Sequence, residues 1–257
     1  MGELILMNAL RVWVFMTAAF LISLIRRRND LADVVWGIGI MVVAYSTFLS
    51  VDIIHGRALL VALLVTLWGV RLSWHIHARN KNKKEDFRYA QWRRQWGSWF
   101  IARSYAQVFL LQGFLMILVS LPVVVSMVTI PQPQLEWLIS FGLIIWLIGF
   151  FFESIGDLQL SIFLEHPENR GKIMTHGLWS WTRHPNYFGE VAQWWGIFFI
   201  ALSSPAYWYA SLIGPLTITF LILKVSGIPL LEKRYEGNAE FDEYKKKTSA
   251  FFPLPPR

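Results

Sequence analysis

Cysteine is absent from the 257 residues. Without a thiol the chain has no disulfide, no thiolate nucleophile and no sulfur ligand for zinc or an iron–sulfur cluster. The six histidines are scattered. His75 and His77 are two apart and so fall on different faces of a helix, and without an HExxH pairing no metal site is expected. No GxGxxG run follows a strand pattern and no P-loop occurs, which removes two common ways of cradling phosphate. Acidic residues are the scarcer charge, 17 against 24 Lys and Arg, for a net +7. That excess carries no nucleic-acid motif, so anionic lipid or a phosphorylated cofactor is the expected partner rather than nucleic acid. There is no internal repeat, low-complexity tract or long polar linker, and one membrane-embedded domain over 1–257 is expected.

Apolar length is what the chain has in excess, 55% of it being hydrophobic. Runs near the ~20 residues needed to cross hydrocarbon predict spans at 4–25, 31–53, 58–77, 102–125, 135–159, 187–202 and 207–230. The expected fold is an all-α integral membrane protein of seven transmembrane helices. No short apolar region with a cleavage site opens the chain, so the first span is expected to be retained. Lys and Arg gather on the cytoplasmic side of a membrane, and here they alternate. Arg26, Arg27 and Arg28 follow the first span; Arg79, Lys81, Lys83, Lys84, Arg88, Arg93, Arg94 and Arg103 follow the third. Arg170, Lys172 and Arg183 follow the fifth, and Lys233, Arg234, Lys245, Lys246, Lys247 and Arg257 lie in the tail. The opposite loops carry only Arg57. An outside N-terminus and a cytoplasmic C-terminus satisfy this pattern.

Ionisable residues inside a bilayer are costly and are by default functional. On this topology they fall at one depth. Asp33 opens span two, Arg71 and His75 close span three, Glu153 and Asp157 close span five, and Asn186 and Glu190 open span six. Residues four apart share a helix face, so each pair presents two polar groups together. Interhelical hydrogen bonds or snorkelling toward the interface are the competing readings.

The run at 177–190, GLWSWTRHPNYFGE, is the densest polar stretch between apolar segments. Pro185 suits the first turn of a helix starting near Asn186, and Arg183 and His184 stand beside that helix's positive end, an arrangement suited to a phosphate. A wetted loop with an interfacial Trp and Arg belt is the alternative. In the tail, aromatic and basic residues alternate around Tyr235, Phe241, Tyr244 and Lys245, which predicts an interfacial amphipathic helix, either lipid-binding or a cofactor lid.

These residues carry a resemblance. The run from Gly177 through Arg183, His184, Pro185, Asn186, Tyr187, Gly189 and Glu190, preceded by Glu153 and Asp157 and followed by Gly227, Pro229, Glu232, Tyr244 and Pro253, resembles the steroid 5-alpha-reductase family. The likeness is closest to a bacterial branch, and sterol C14-reductases are similar over the last third. The resemblance implies an inner-membrane reductase with NADPH in a cytoplasm-facing cavity of the C-terminal helices. Residues 101–257 would form the cofactor core, and 1–100 the substrate-side helices. It implies that Asp157, Arg183, His184, Asn186, Tyr187, Glu190, Glu232 and Tyr244 lie at or near the dinucleotide, with Glu153 and Trp179 beside them. Arg79, Arg88 and Arg183 are candidates for the 2′-phosphate, since a guanidinium forks onto phosphate oxygens.

Reductases of this family pair a Glu from an early helix with a Tyr from the next to polarise an enone carbonyl. Asp33 is the early carboxyl at the right depth and the expected counterpart. Span three has no Tyr, which leaves Arg71, His75 or Tyr89, the last in the following loop, as the second group. The expected reaction is hydride addition to the conjugated C=C bond of a hydrophobic 3-keto-4-ene steroid-like or isoprenoid-like ketone. An S-adenosylmethionine-dependent methyltransferase of the isoprenylcysteine carboxyl methyltransferase type shares the Arg-His-Pro-x-Tyr run and is the alternative enzyme. A transporter would show polarity at both membrane faces and related halves; neither is present.

Overall fold

The computed structural model describes residues 1–81 and 83–256; Arg257 of the basic tail lies outside the described residues. Among these the chain forms α-helices and no strand. They are α1 (Gly2–Arg26), α2 (Leu31–Val34), α3 (Trp36–Phe48), α4 (Gly56–Asn80), α5 (Phe87–Trp96), α6 (Phe100–Arg103), α7 (Leu111–Val128), α8 (Trp137–Glu165), α9 (Pro185–Ala201), α10 (Trp208–Phe220), α11 (Ile228–Glu232) and α12 (Ala239–Lys247). Five helical stretches are long and apolar enough to cross a membrane: Gly2–Arg26, Gly56–Asn80, Phe87–Val128, Pro133–Glu165 and Trp208–Tyr235. The protein is a helical membrane protein. The second and sixth expected spans form shorter helices, α3 of 13 residues and α9 of 17. Within the 42-residue stretch Phe87–Val128 the helix widens to a π-helix over Ser104–Leu110.

The chain divides into two compact units. Unit 1 comprises Met1–Gln132 and Ser204–Ile213; unit 2 comprises Pro133–Ser203 and Gly214–Arg257. In unit 1, α1, α3, α4 and α7 pack around Met16, Ile40, Val65, Trp68, Met116 and Val119, all essentially inaccessible. A Cβ on Gly37 would lie 2.5 Å from the Gly69 carbonyl oxygen, so glycine is what lets α3 and α4 touch backbone to backbone. Polar residues bind the same helices together. Asn8 of α1 donates to Thr47 of α3 at 2.9 Å, and Ser46 donates to Asn8 at 2.5 Å. Arg11, also on α1, donates to the Ser46 hydroxyl. Arg57, at the start of α4, is 3% exposed and donates to the Ser126 carbonyl at 3.1 Å and the Thr129 hydroxyl at 2.7 Å. It thereby caps the negative end of α7.

Unit 2 is built on the α8–α9 pair. Gly142, Gly149 and Gly156 recur every seven residues on α8, and Gly189 and Gly196 do so on α9. A Cβ on Gly149 would meet the Gly189 carbonyl oxygen at 2.6 Å, and one on Gly196 the Gly142 carbonyl oxygen at 2.7 Å. A seven-residue spacing keeps a small residue on the facing seam of two helices for two turns at a time. The helices can then approach closely enough for their polar side chains to reach across.

Candidate functional site

Asp86 starts the unit 1 cluster. Its carboxylate accepts from the Arg88 backbone N–H at 3.0 Å and so caps α5, which puts Arg88 and Tyr89 in the first helical turn. Tyr89 is therefore helical, not in a loop as the sequence suggests. Burial works to raise the Asp86 carboxyl, and the hydrogen bond and charge of Arg88 outweigh it, holding it below the ordinary carboxylate range. Arg88 donates from Nη2 to Asp33 Oδ2 at 2.6 Å and from Nε to Asp86 at 2.9 Å. The buried Tyr89 hydroxyl donates to Asp33 Oδ1 at 2.7 Å and accepts from Gln112 Nε2 at 3.2 Å. Gln112 Oε1 is buried with no hydrogen-bond partner.

Three further contacts fix the chain segments that carry these groups. Arg93 pairs with Glu85 at 2.9 Å, and Glu85 accepts from the Asn29 backbone at 2.7 Å. Asn29 in turn donates to Ser104 at 2.7 Å, at the start of the π-helix. Such wide turns recur at functional sites because they redirect the residues that follow; Gln112 is the second residue after this one. The outcome is a carboxylate–phenol pair in which Asp33, its side chain 19% exposed, holds the buried Tyr89 hydroxyl and the Arg88 guanidinium.

In unit 2, His184 caps α9 and Pro185 occupies its first turn, as the proline pattern predicts. The Arg183 guanidinium turns inward. It donates to Glu232 from Nε and Nη2, each at 2.9 Å, and from Nη1 to the Thr248 carbonyl at 2.5 Å and the Lys245 carbonyl at 3.5 Å. Those carbonyls end α12, where a cation suits the helix dipole. His184 Nε2 lies 3.1 Å from Glu232, Lys245 Nζ lies 3.8 Å from it, and the buried His184 Nδ1 has no hydrogen-bond partner. Burial pushes the His184 pKa below the ordinary histidine value, and the Glu232 carboxylate only partly offsets this.

The tail closes over the same residues. Thr182 and Ser249 form a parallel bridge, Arg183 N donates to Ser249 O at 2.8 Å and Leu254 N to Trp181 O at 3.0 Å. The buried Tyr244 hydroxyl donates to the Trp179 carbonyl, and burial raises its pKa. Trp179 Nε1 donates to the Gly156 carbonyl at 3.0 Å. Along the α8–α9 seam Asn186 donates to Asp157 at 3.0 Å, and Gln193 donates to Glu153 at 2.5 Å.

Residues 19–248 match the model of a family described as a protein of unknown function, DUF1295. The chain belongs to the DUF1295 family. No curated protein and no solved structure matches it.

In this DUF1295 member the expected site residues thus fall into separate groups. Asp33, Arg88 and Tyr89 meet in unit 1. Arg71 and His75 lie half-buried on one face of α4, each engaged by a neighbour. Arg79 is exposed and donates to Asn80 at 3.4 Å. In unit 2, Arg183, His184, Glu232, Tyr244 and Trp179 form one network, while Tyr187 stacks on His184 with ring centroids 5.6 Å apart. Asp157 with Asn186 and Glu153 with Gln193 form rungs along the seam, and Glu190 sits half-buried one turn after Asn186. Sequence reasoning passes over Gln112 and Gln193, because only ionisable residues are weighed within the spans. An amide interrupting an apolar run is the signal that identifies both.

Proposed function

We propose that this DUF1295 protein is an NADPH-dependent reductase that saturates the conjugated C=C bond of a hydrophobic 3-keto-4-ene steroid-like ketone. In this reading seven helices span a bacterial inner membrane, with the N-terminus outside, the cofactor site facing the cytoplasm and the substrate arriving from the bilayer. The observation that carries it is the 2.7 Å hydrogen bond between the Tyr89 hydroxyl and Asp33, a phenol–carboxylate pair of the kind that polarises an enone. The relation of DUF1295 to steroid 5-alpha-reductase-like proteins supports the same reading.

The reading gives the two clusters different roles. The Arg183 cluster holds the cofactor. Its groups suit a dinucleotide phosphate, because Arg183 and Lys245 outnumber the Glu232 carboxylate between them and Lys245, 38% exposed in its side chain, stands at the accessible side of the cluster. Asn186, Tyr187 and Glu190 orient the rest of the molecule, and Glu153, Asp157, Trp179 and Tyr244 support them. When bound, NADPH supplies the hydride. In unit 1, Tyr89 donates its proton toward the substrate carbonyl oxygen and draws charge from the β-carbon. Asp33 and Arg88 hold the phenol in place, and fixed donors of this kind lower the barrier without reorganising during the reaction. The α-carbon then takes a proton.

The test is cofactor-dependent turnover by protein purified in detergent, followed by NADPH absorbance with and without progesterone, with Asn186→Ala as control. Oxidation coupled to a product two mass units heavier, and abolished in the control, is expected. Saturable S-adenosylmethionine binding without NADPH binding would replace this reading with the methyltransferase.

A further inference from the structure

Unit 1 contains a cleft of about 200 Å³ at the ends of α1 and α4, with Arg26, Arg28, His77 and Lys81 among its walls together with Leu31 and Val34. We propose that this cleft binds the phosphate of an anionic phospholipid headgroup.

The charge balance is the first argument. Asp30 also lines the cleft, and its carboxylate is taken up by Arg28, which forks onto it with bonds of 3.0 and 2.6 Å. Arg26 and Lys81 are exposed, and among the described residues neither has a carboxylate within ion-pair distance. They are the cationic excess of the cleft, and a doubly coordinated anion would satisfy both. The walls are also set in advance. Arg28 donates to the carbonyls of Lys83 at 3.0 Å and Asn80 at 3.5 Å, and Asn80 Nδ2 reaches Asp30 at 3.5 Å. These bonds tie the chain after α1 to the end of α4, so no loop must be ordered when the ligand arrives.

Location selects the lipid over a soluble phosphate ester. Both helices are long and apolar enough to cross a membrane, and their last turns are where such helices leave the hydrocarbon, at the depth of lipid phosphates. Leu31 and Val34 supply an apolar wall that a glycerol backbone and its first methylenes can cover and a free phosphate would leave wet. Basic pockets between spanning helices recognise headgroups through this combination.

Native mass spectrometry of the full chain, loaded with equal amounts of phosphatidylglycerol and phosphatidylcholine, tests the proposal. Wild type should retain phosphatidylglycerol preferentially. Arg26→Gln with Lys81→Gln should weaken that preference about fivefold for each charge removed. Both side chains are exposed, so the melting temperature should not change. Lys246→Gln with Lys247→Gln, removing the same charge from the exposed end of α12, should retain the wild-type preference. Three results would overturn the proposal: retention unchanged in the Arg26 and Lys81 variant, equal loss in the tail variant, which would mean diffuse attraction, or displacement of the lipid by equimolar glycerol 1-phosphate, which would make a soluble ester the ligand.

Discussion

The Asp33 cluster of unit 1 and the Arg183 cluster of unit 2 are both built from arginine, carboxylate and an aromatic hydroxyl, and they use them in opposite ways. In unit 2 the guanidinium is the centre. It is 9% exposed in its side chain and spends its donors on Glu232 and on two backbone carbonyls. In unit 1 the carboxylate is the centre, its side chain 19% exposed, with donors converging on it from Arg88 and Tyr89. A caged cation staples chain segments together. A partly exposed carboxylate on which donors converge instead fixes those donors, a phenol among them, around one acceptor. The arginine most conspicuous in the sequence is thus the more structural of the two.

Removing each arginine tests this contrast most severely. Arg183→Met leaves a Glu232 carboxylate that is only 15% exposed with His184 and Lys245 alone beside it, and frees two backbone acceptors, so it should cost about 3 kcal/mol. Arg88→Met should cost less, about 1 kcal/mol, because Arg88 is 27% exposed where Arg183 is 9% exposed and Asp33 keeps the Tyr89 hydroxyl. Thermal unfolding in detergent measures both, and equal losses would end the distinction. Next in size is turnover of the proposed reaction. Tyr89→Phe and Asp33→Asn should each lower kcat about 100-fold, the loss seen when a preorganised donor is removed, with NADPH affinity unchanged by equilibrium titration. If either variant turned over at the wild-type rate, unit 1 would lose its assigned role.

Gln112→Leu sharpens the comparison further, since Gln112 acts only through Tyr89. About a tenfold drop in kcat is expected, with the pH profile of kcat displaced and KM unchanged; a purely structural amide would alter stability and leave that profile alone. The smallest effect is in the closed cluster. Burial depresses the His184 pKa, with Arg183 acting in the same direction and Glu232 against it. Below the ordinary histidine value of about 6.5 the unfolded chain therefore takes up a proton that the folded chain resists. Stability should fall as pH drops from 7 to 5.5, by less than about 1.4 kcal/mol per pH unit. His184→Gln should flatten that slope, as read from melting temperatures across the range.

What the sequence reveals follows from the reach of local pattern. Apolar runs long enough to cross hydrocarbon locate α1, α4, α7, α8 and α10, because length and composition suffice there. The start of α3 depends on a break at Val35 that a hydropathy window averages away, whereas the start of α9 is marked by Pro185. The division into two units rests on contacts between distant helices and has no local signature. The seven-residue glycine repeat on α8 and α9 is, by contrast, written in the chain and predicts their close packing. Asp33 is readable from its depth, and Asp86 ahead of an aromatic-rich helix is a capping signal that would have placed Tyr89 on a helix. The partners of Arg183 lie 49 to 65 residues further on; nothing near position 183 indicates that its charge is already committed.

The closure of unit 2 by the tail has a consequence for how the protein is made. Arg183 is synthesised 65 residues before the Thr248 carbonyl that receives it, and Thr182 is synthesised 69 residues before the Phe251 carbonyl that it binds. While those residues are still on the ribosome, α8 and α9 have already emerged and can associate through their glycine seam, with a cation left waiting at its edge. Unit 2 is then completed only after that later stretch has been made, and a ribosome stalled just short of Thr248 would hold a chain whose Arg183 still lacks one of its backbone acceptors.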